Sequence, residues 1–152
     1  MSDMLKMRTV DFKKLEGLLN EHPCGTITWE RAFELLSYLP NDWESSTVLW
    51  FNENFEDGEA NFMWLADLLL SFKIPYEYFC DRDIEGDDYW EYYNPTVREE
   101  PKSANMSKDS SSYLFKRWNF EELKHLPDHE FKQAVEAFFK NPFADYPDLN
   151  NL

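Results

Sequence analysis

"YEYFCDRDIEGDDYWEYY", residues 76–93, consists of two aromatic segments joined by an acidic connection. Aromatic residues favour strands, and the connection "DRDIEGDD", residues 81–88, contains Gly86, a residue that suits turns. The two segments are therefore predicted to pair as a β-hairpin. The apolar segment "STVLWF", residues 46–51, is predicted to be a further, buried strand.

Helical patterns flank these strands. Helices are predicted from Thr9 to Asn20, with Phe12, Leu15, Leu18 and Leu19 on one buried face, and from a cap at Thr28 to Pro40. Further helices are predicted over residues 59–72 and over "FEELKHL" and "HEFKQAVEAFFK" near the C-terminus. The strand, helix and strand across residues 46–80 have the spacing of a right-handed crossover. A fourth strand is predicted over residues 113–118.

These elements predict an α+β fold. The expected architecture is a small mixed β-sheet of about three to four strands with about four to five helices over one face, in a single domain of residues 1–152. Residues 98–112, "REEPKSANMSKDSSS", lack aromatics and are predicted to form a flexible surface loop. Residues 142–152 are predicted to be a C-terminal tail.

The net charge of −15 is unevenly distributed along the chain. Residues 1–31 contain five acids and five bases, and residues 98–152 contain ten acids and eight bases. Residues 32–97 contain fifteen acids and only two bases, Lys73 and Arg82. A net charge of about 2–8 in magnitude is enough for the solubility of a small domain. The central excess should therefore repel nucleic acid and anionic membranes and attract basic protein surfaces.

The sequence argues against several other classes of protein. Its apolar runs are too short to span a bilayer and no secretory signal is visible, so we expect a cytoplasmic protein. Cys24 and Cys80 form no CxxC pair and are expected to be free thiols. His125 and His129 have zinc-like spacing, but Pro127 between them favours surface histidines. No nucleophile elbow or phosphate-binding glycine loop is present, so no cofactor is predicted.

The acidic connection of the hairpin partly matches a calcium-binding EF-hand loop. If Asp81 is counted as the first position of the loop, Asp83 and Glu85 occupy the third and fifth positions, which hold ligands. Gly86 then occupies the sixth position. The twelfth position, which needs a bidentate glutamate, is Tyr92. The flanking segments are predicted strands rather than helices. Calcium binding is therefore disfavoured, although weak cation binding stays open.

A catalytic use of the same carboxylates is a second interpretation. A general acid or base needs a cleft and a partner within hydrogen-bond reach, whereas an exposed turn presents solvated carboxylates. A metal-dependent enzyme that uses the carboxylates of residues 81–91 is kept as an alternative.

A surface for a protein partner is the third and favoured interpretation. The predicted partner-binding residues are Glu53, Glu56, Asp57, Glu59, Asp81, Asp83, Glu85, Asp87, Asp88, Tyr89, Trp90, Glu91 and Tyr92. Tyr and Trp are enriched at protein interfaces, and carboxylates in a row can replace duplex phosphates, which supply one charge per about 1.7 Å of axis. The sequence leaves open whether the two acidic groups meet, since the same predicted helix separates them.

In size, charge and aromatic content the chain resembles small acidic inhibitor proteins. These include phage anti-restriction and anti-CRISPR proteins that mimic DNA, and immunity proteins that block toxin nucleases. The resemblance implies a non-enzymatic inhibitor, without metal or cofactor, whose partner is the basic surface of a nucleic-acid-binding defence complex or nuclease. An acidic surface that serves only solubility, and a scaffold without a basic partner, are the remaining alternatives.

Overall fold

The computed structural model describes residues 2–22, 24–25, 27–54, 62–81, 88–107 and 112–152. The strands in this part of the chain are β1 Ser2–Arg8, β2 Val48–Asn54, β3 Tyr76–Asp81, β4 Asp88–Tyr93, β5 Lys102–Met106 and β6 Tyr113–Leu114. The α-helices there are α1 Thr9–Glu21, α2 Trp29–Phe33, α3 Met63–Ser71, α4 Arg117–Leu123 and α5 Asp128–Lys140. Short 3-10 helices span Glu34–Tyr38, Trp43–Ser45 and Leu149–Asn151.

One antiparallel sheet contains all six of these strands, in the order β2-β1-β3-β4-β5-β6. The predicted hairpin is confirmed, because β3 pairs with β4 and Cys80 lies opposite Tyr89. The α+β class is confirmed as well. The sheet is larger than the three to four strands expected, and it is antiparallel rather than mixed.

The strand β1 accounts for much of this difference. Its sequence "SDMLKMR" alternates strictly, with Asp3, Leu5 and Met7 fully buried. It pairs antiparallel with both β2 and β3. These two strands therefore run parallel to each other, joined through α3, with β1 between them. The chain therefore connects β2 through α3 to β3, as the strand–helix–strand spacing predicted, but β1 lies between the two strands.

The first face of the sheet is covered by α1, α2 and α3. As predicted, α1 buries Phe12, Leu15 and Leu19 at helical spacing. Thr28 caps α2, since its Oγ1 accepts a hydrogen bond from the Arg31 backbone N–H at 3.3 Å. The largest fully buried side chains on this face include Leu5, Phe12, Phe51, Leu65, Tyr76 and Tyr78.

The second face of the sheet supports a smaller core that the sequence did not predict. Ala104 on β5 is buried with Phe138 of α5 and Phe143. The Tyr92 ring stacks on Phe143 with a centroid distance of 4.1 Å and an interplanar angle of 12°. Helices therefore cover both faces, and the expectation of one covered face was wrong.

Two segments expected to be irregular are packed. Residues 102–106, within the predicted loop 98–112, form β5, where Ala104 has an exposed fraction of 0%. In the predicted tail 142–152, Phe143 and Leu149 are buried. Pairing with β4 and contact with aromatic side chains outweigh the polar composition of these segments. The predicted strand 113–118 is reduced to Tyr113–Leu114, and α4 begins at Arg117.

Cys24 and Cys80 are both free thiols. No helix in the described ranges is long and apolar enough to cross a membrane.

The buried position of Ala104 can be tested by introducing a charge. We expect Ala104→Asp to lower the free energy of unfolding by about 3 kcal/mol or more, because the new carboxylate would be buried without a partner. The matched variant Ala137→Asp places the same charge on the exposed surface of α5. It should change the free energy of unfolding by only about 0.5 kcal/mol. Urea denaturation measures both. Equal stability of the two variants would contradict the assignment of β5.

Candidate functional site: the acidic end of the sheet

The strand register brings the two acidic groups of the sequence to the same end of the sheet. Ser2 lies opposite Asn54 on β2 and also opposite Asp81 on β3. Neighbouring strands are about 4.8 Å apart, so the ends of β2 and β3 are separated by roughly 10 Å. Residues 55–61 and 82–87 follow directly after these two strand ends. The position of β1 therefore places the ends of β2 and β3, at Asn54 and Asp81, on either side of Ser2.

We call this region the acidic end, defined by Asp3, Glu53, Asp81 and Asp88. Glu53 lies opposite Asp3 in the β1–β2 pair, while Asp88 begins β4 beside the end of β3. Of the predicted binding residues, Glu56, Asp57, Glu59, Asp83, Glu85 and Asp87 lie outside the described residues. Most of the predicted EF-hand ligands lie outside them too.

Asp3 is a member of the acidic end that sequence reasoning missed. Its carboxylate is fully buried, and its Oδ2 accepts a hydrogen bond from the backbone N–H of Phe62 at 2.8 Å. Burial raises the pKa of Tyr78, and the neighbouring Asp3 carboxylate raises it further. Asp3 alternates with the apolar Leu5 and Met7, which was the available signal for an inward-facing carboxylate. It connects β1 to the start of α3.

Glu53 is fixed by a contact from the other side of the strand end. Its Oε2 accepts a hydrogen bond from the Tyr38 hydroxyl at 2.7 Å. This bond is the largest cause of the raised pKa of Tyr38. Glu53 remains half-buried, so its position is defined while part of the side chain stays accessible.

The residues at the start of β4 are less exposed than their sequence suggested. Asp88 has an exposed fraction of only 7%. The Glu91 carboxylate accepts hydrogen bonds from the Tyr76 hydroxyl at 2.5 Å and from the Tyr89 hydroxyl at 2.6 Å. Burial raises the pKa of Tyr76, with a further contribution from Glu91. Glu91 thus organises a tyrosine cluster on the first face.

Trp90 and Tyr92 point to the second face. The rings of Trp90 and Phe79 have centroids 4.4 Å apart, and Tyr92 packs against Phe143 and Tyr146. Both side chains are half-buried. Their main contacts therefore hold the second core together, with Trp90 opposite Ala104 in the middle of β5 and Tyr92 opposite Lys102, away from the acidic end.

Basic residues are concentrated towards the opposite end of the same strands. Arg8 ends β1, Lys102 begins β5, and Lys73 and Arg98 lie in connections at that end. Two of these bases are paired with acids, since Arg8 Nε lies 2.7 Å from Asp11 Oδ2 and Arg98 Nη2 lies 3.8 Å from Glu122 Oε1.

The N-terminal lysines neutralise carboxylates away from the acidic end. Lys6 Nζ lies 3.4 Å from the Glu77 carboxylate, and Lys13 Nζ lies 3.6 Å from that of Glu44. Neither acid belongs to the acidic end.

Within the described ranges, no three His, Cys, Asp or Glu side chains converge to hold a metal ion. That search does not extend to residues 82–87, which supply most of the hairpin carboxylates.

No known protein family, curated protein or solved structure matches this chain.

The tyrosine cluster gives a stability prediction. We expect Glu91→Ala to lower the free energy of unfolding by about 2–3 kcal/mol, because two tyrosine hydroxyls lose their acceptor. The exposed residue Glu136 on α5 provides a matched control, and Glu136→Ala should stay within about 0.5 kcal/mol of the parent protein. Urea denaturation at neutral pH measures both changes. A Glu91→Ala variant as stable as Glu136→Ala would show that the cluster has no structural role.

Proposed function

We propose that this protein is a non-enzymatic acidic inhibitor that uses its acidic end to bind the nucleic-acid-binding surface of a basic protein. The observation that carries the proposal is the common departure point of two acidic segments, at Asn54 and Asp81, on either side of Ser2. The partner would be a nucleic-acid-binding defence complex or a nuclease.

The spacing of these strand ends decides whether the charges act together. The Debye length at physiological salt is about 8 Å, close to the separation of roughly 10 Å between the ends of β2 and β3. Opposite ends of a seven-residue strand would instead be about 20 Å apart, where salt screens most of the interaction. Charges at the two neighbouring strand ends are therefore screened from each other much less than charges at opposite ends would be, which supports the proposal.

The two segments contain many more acids than bases. Residues 53–59 contain four acids and no base, and residues 81–88 contain five acids and the single base Arg82. A surface rich in Lys and Arg that normally contacts phosphates would be attracted to such a field. Charge of this kind accelerates association and excludes nucleic acid from the same surface.

The packing of the sheet supports this use of the acidic end. Glu53 is bonded to Tyr38, and Asp3 ties β1 to the start of α3. A pre-organised support lowers the entropy that binding must overcome. In the proposal Trp90, Glu91 and Tyr92 stabilise the support, and the direct contacts come mainly from Glu53, Asp81 and the acids of residues 55–61 and 82–87.

A charge-reversal experiment tests the proposal. The acidic-end variant combines Asp57→Lys, Asp83→Lys and Asp87→Lys, whereas the control variant combines Glu16→Lys, Glu99→Lys and Glu136→Lys at exposed positions. Each reversal adds two charges, so both variants have a net charge of −9 instead of −15. Circular dichroism establishes that both remain folded.

The parent protein and the control variant should each recover a nucleic-acid-binding protein from the native host, identified by mass spectrometry. They should also displace its nucleic acid in a gel-shift assay, and raising the salt to about 1 M should abolish the binding. The acidic-end variant should neither recover this partner nor displace its nucleic acid. If the recovered protein is a single toxin nuclease, the inhibitor is an immunity protein for that toxin. Equal behaviour of the two variants would contradict the proposal.

A further inference from the structure

The strand β2 forms one edge of the sheet. Among the residues that the structure describes, its only strand partner is β1. Within the described ranges, residues 48–54 form no backbone hydrogen bond outside that pairing. Edge strands are usually protected by short length, a bulge, proline or lysine. The seven-residue sequence "VLWFNEN" contains neither proline nor lysine, and its register with β1 is continuous.

An exposed tryptophan lies at the centre of this edge. The side chain of Trp50 is 54% exposed, and that of Asn52 two positions further is exposed as well. Lys6 Nζ already lies 3.8 Å from the centroid of the Trp50 ring. One face of the ring is therefore already in contact with a cation of the same chain, while its exposed part is accessible to a partner. Trp is among the residues that contribute most to protein interfaces.

The charge near this edge selects the type of partner. From residue 32 to residue 72 the sequence contains eight Asp and Glu and no Lys or Arg, although Lys6 of the neighbouring strand contacts Trp50 and Lys13 lies 3.6 Å from Glu44. The 3-10 helix Glu34–Tyr38 reaches β2 through the bond from Tyr38 to Glu53. A second copy of the chain would bring the same negative charge to the edge and would be repelled. A basic segment would be attracted.

We propose that the outer edge of β2 receives an extended Arg- or Lys-rich segment of the partner as an additional strand. Main-chain hydrogen bonds to β2 would supply affinity, and side chains that alternate along the added strand would contact Trp50. The basic nature of the occupant rests on the proposed function. Because β2 ends at Asn54, a segment paired along it leads directly to the acidic end, so the two surfaces are continuous.

Two synthetic peptides separate strand addition from simple charge attraction. One is an alternating Arg-Thr peptide of about the length of β2, and the other has the same sequence with every backbone nitrogen methylated. The methylated peptide keeps its charge but has no backbone donors. The unmodified peptide should bind at least about tenfold more tightly and should slow amide hydrogen exchange in residues 49–52.

Tryptophan substitutions locate the binding site on the protein. Trp50→Ala should weaken binding of the unmodified peptide by about tenfold, as expected for an interface anchor. Trp118 on α4 is 48% exposed and provides the control, since Trp118→Ala should leave the affinity unchanged.

Equal affinities for the two peptides, or equal effects of the two tryptophan substitutions, would overturn strand addition. Absence of binding by both peptides would overturn it as well. The peptide results are independent of whether the charge-reversal variants recover a partner from the host. Failure of the strand-addition proposal can therefore be distinguished from failure of the proposed function.

Discussion

The antiparallel pairing of β1 along both of its edges is the constraint on which the rest of the structure depends. With β1 between them, β2 and β3 run in the same direction and end beside each other, opposite Ser2. The two acidic segments of the sequence therefore start from neighbouring strand ends. If β1 did not separate them, α3 would connect two adjacent parallel strands, and the sheet would be mixed rather than antiparallel.

The same strand explains why a carboxylate is buried beneath the acidic end. Asp3 occupies an inward-facing position in β1, where it accepts a hydrogen bond from the Phe62 backbone N–H. Burial of an ionised group is costly unless it is hydrogen-bonded, so this contact offsets part of the cost and fixes the start of α3. β1, which separates β2 from β3, is therefore also hydrogen-bonded to the start of α3.

Local features of the sequence predict the parts of the fold that depend on neighbouring residues. The hairpin of β3 and β4, the apolar face of α1 and the Thr28 cap of α2 are examples. β1 and β5 were missed because charged or small polar residues, such as Lys6 and Ser103, occupy strands whose stability comes from distant partners. Local composition carries no information about those partners.

The candidate site was predictable to a similar extent. Charge counting identifies the acidic segments, since it needs only the sequence. It does not identify the burial of Asp88 or the two hydroxyl bonds of Glu91, which depend on how β4 packs between its neighbours. It also leaves the relative position of the ends of β2 and β3 undecided, because that depends on the insertion of β1.

The most direct test of the central claim is a nuclear magnetic resonance titration of the labelled protein with a short oligolysine peptide at low salt. If the acidic end acts as one negative surface, the chemical-shift changes will concentrate around the half-buried Glu53 and Asp81 and in the acidic segments that follow β2 and β3. They will also disappear as salt is raised, because the interaction is screened. Changes distributed equally over the acids of α1 and α5 would contradict the account.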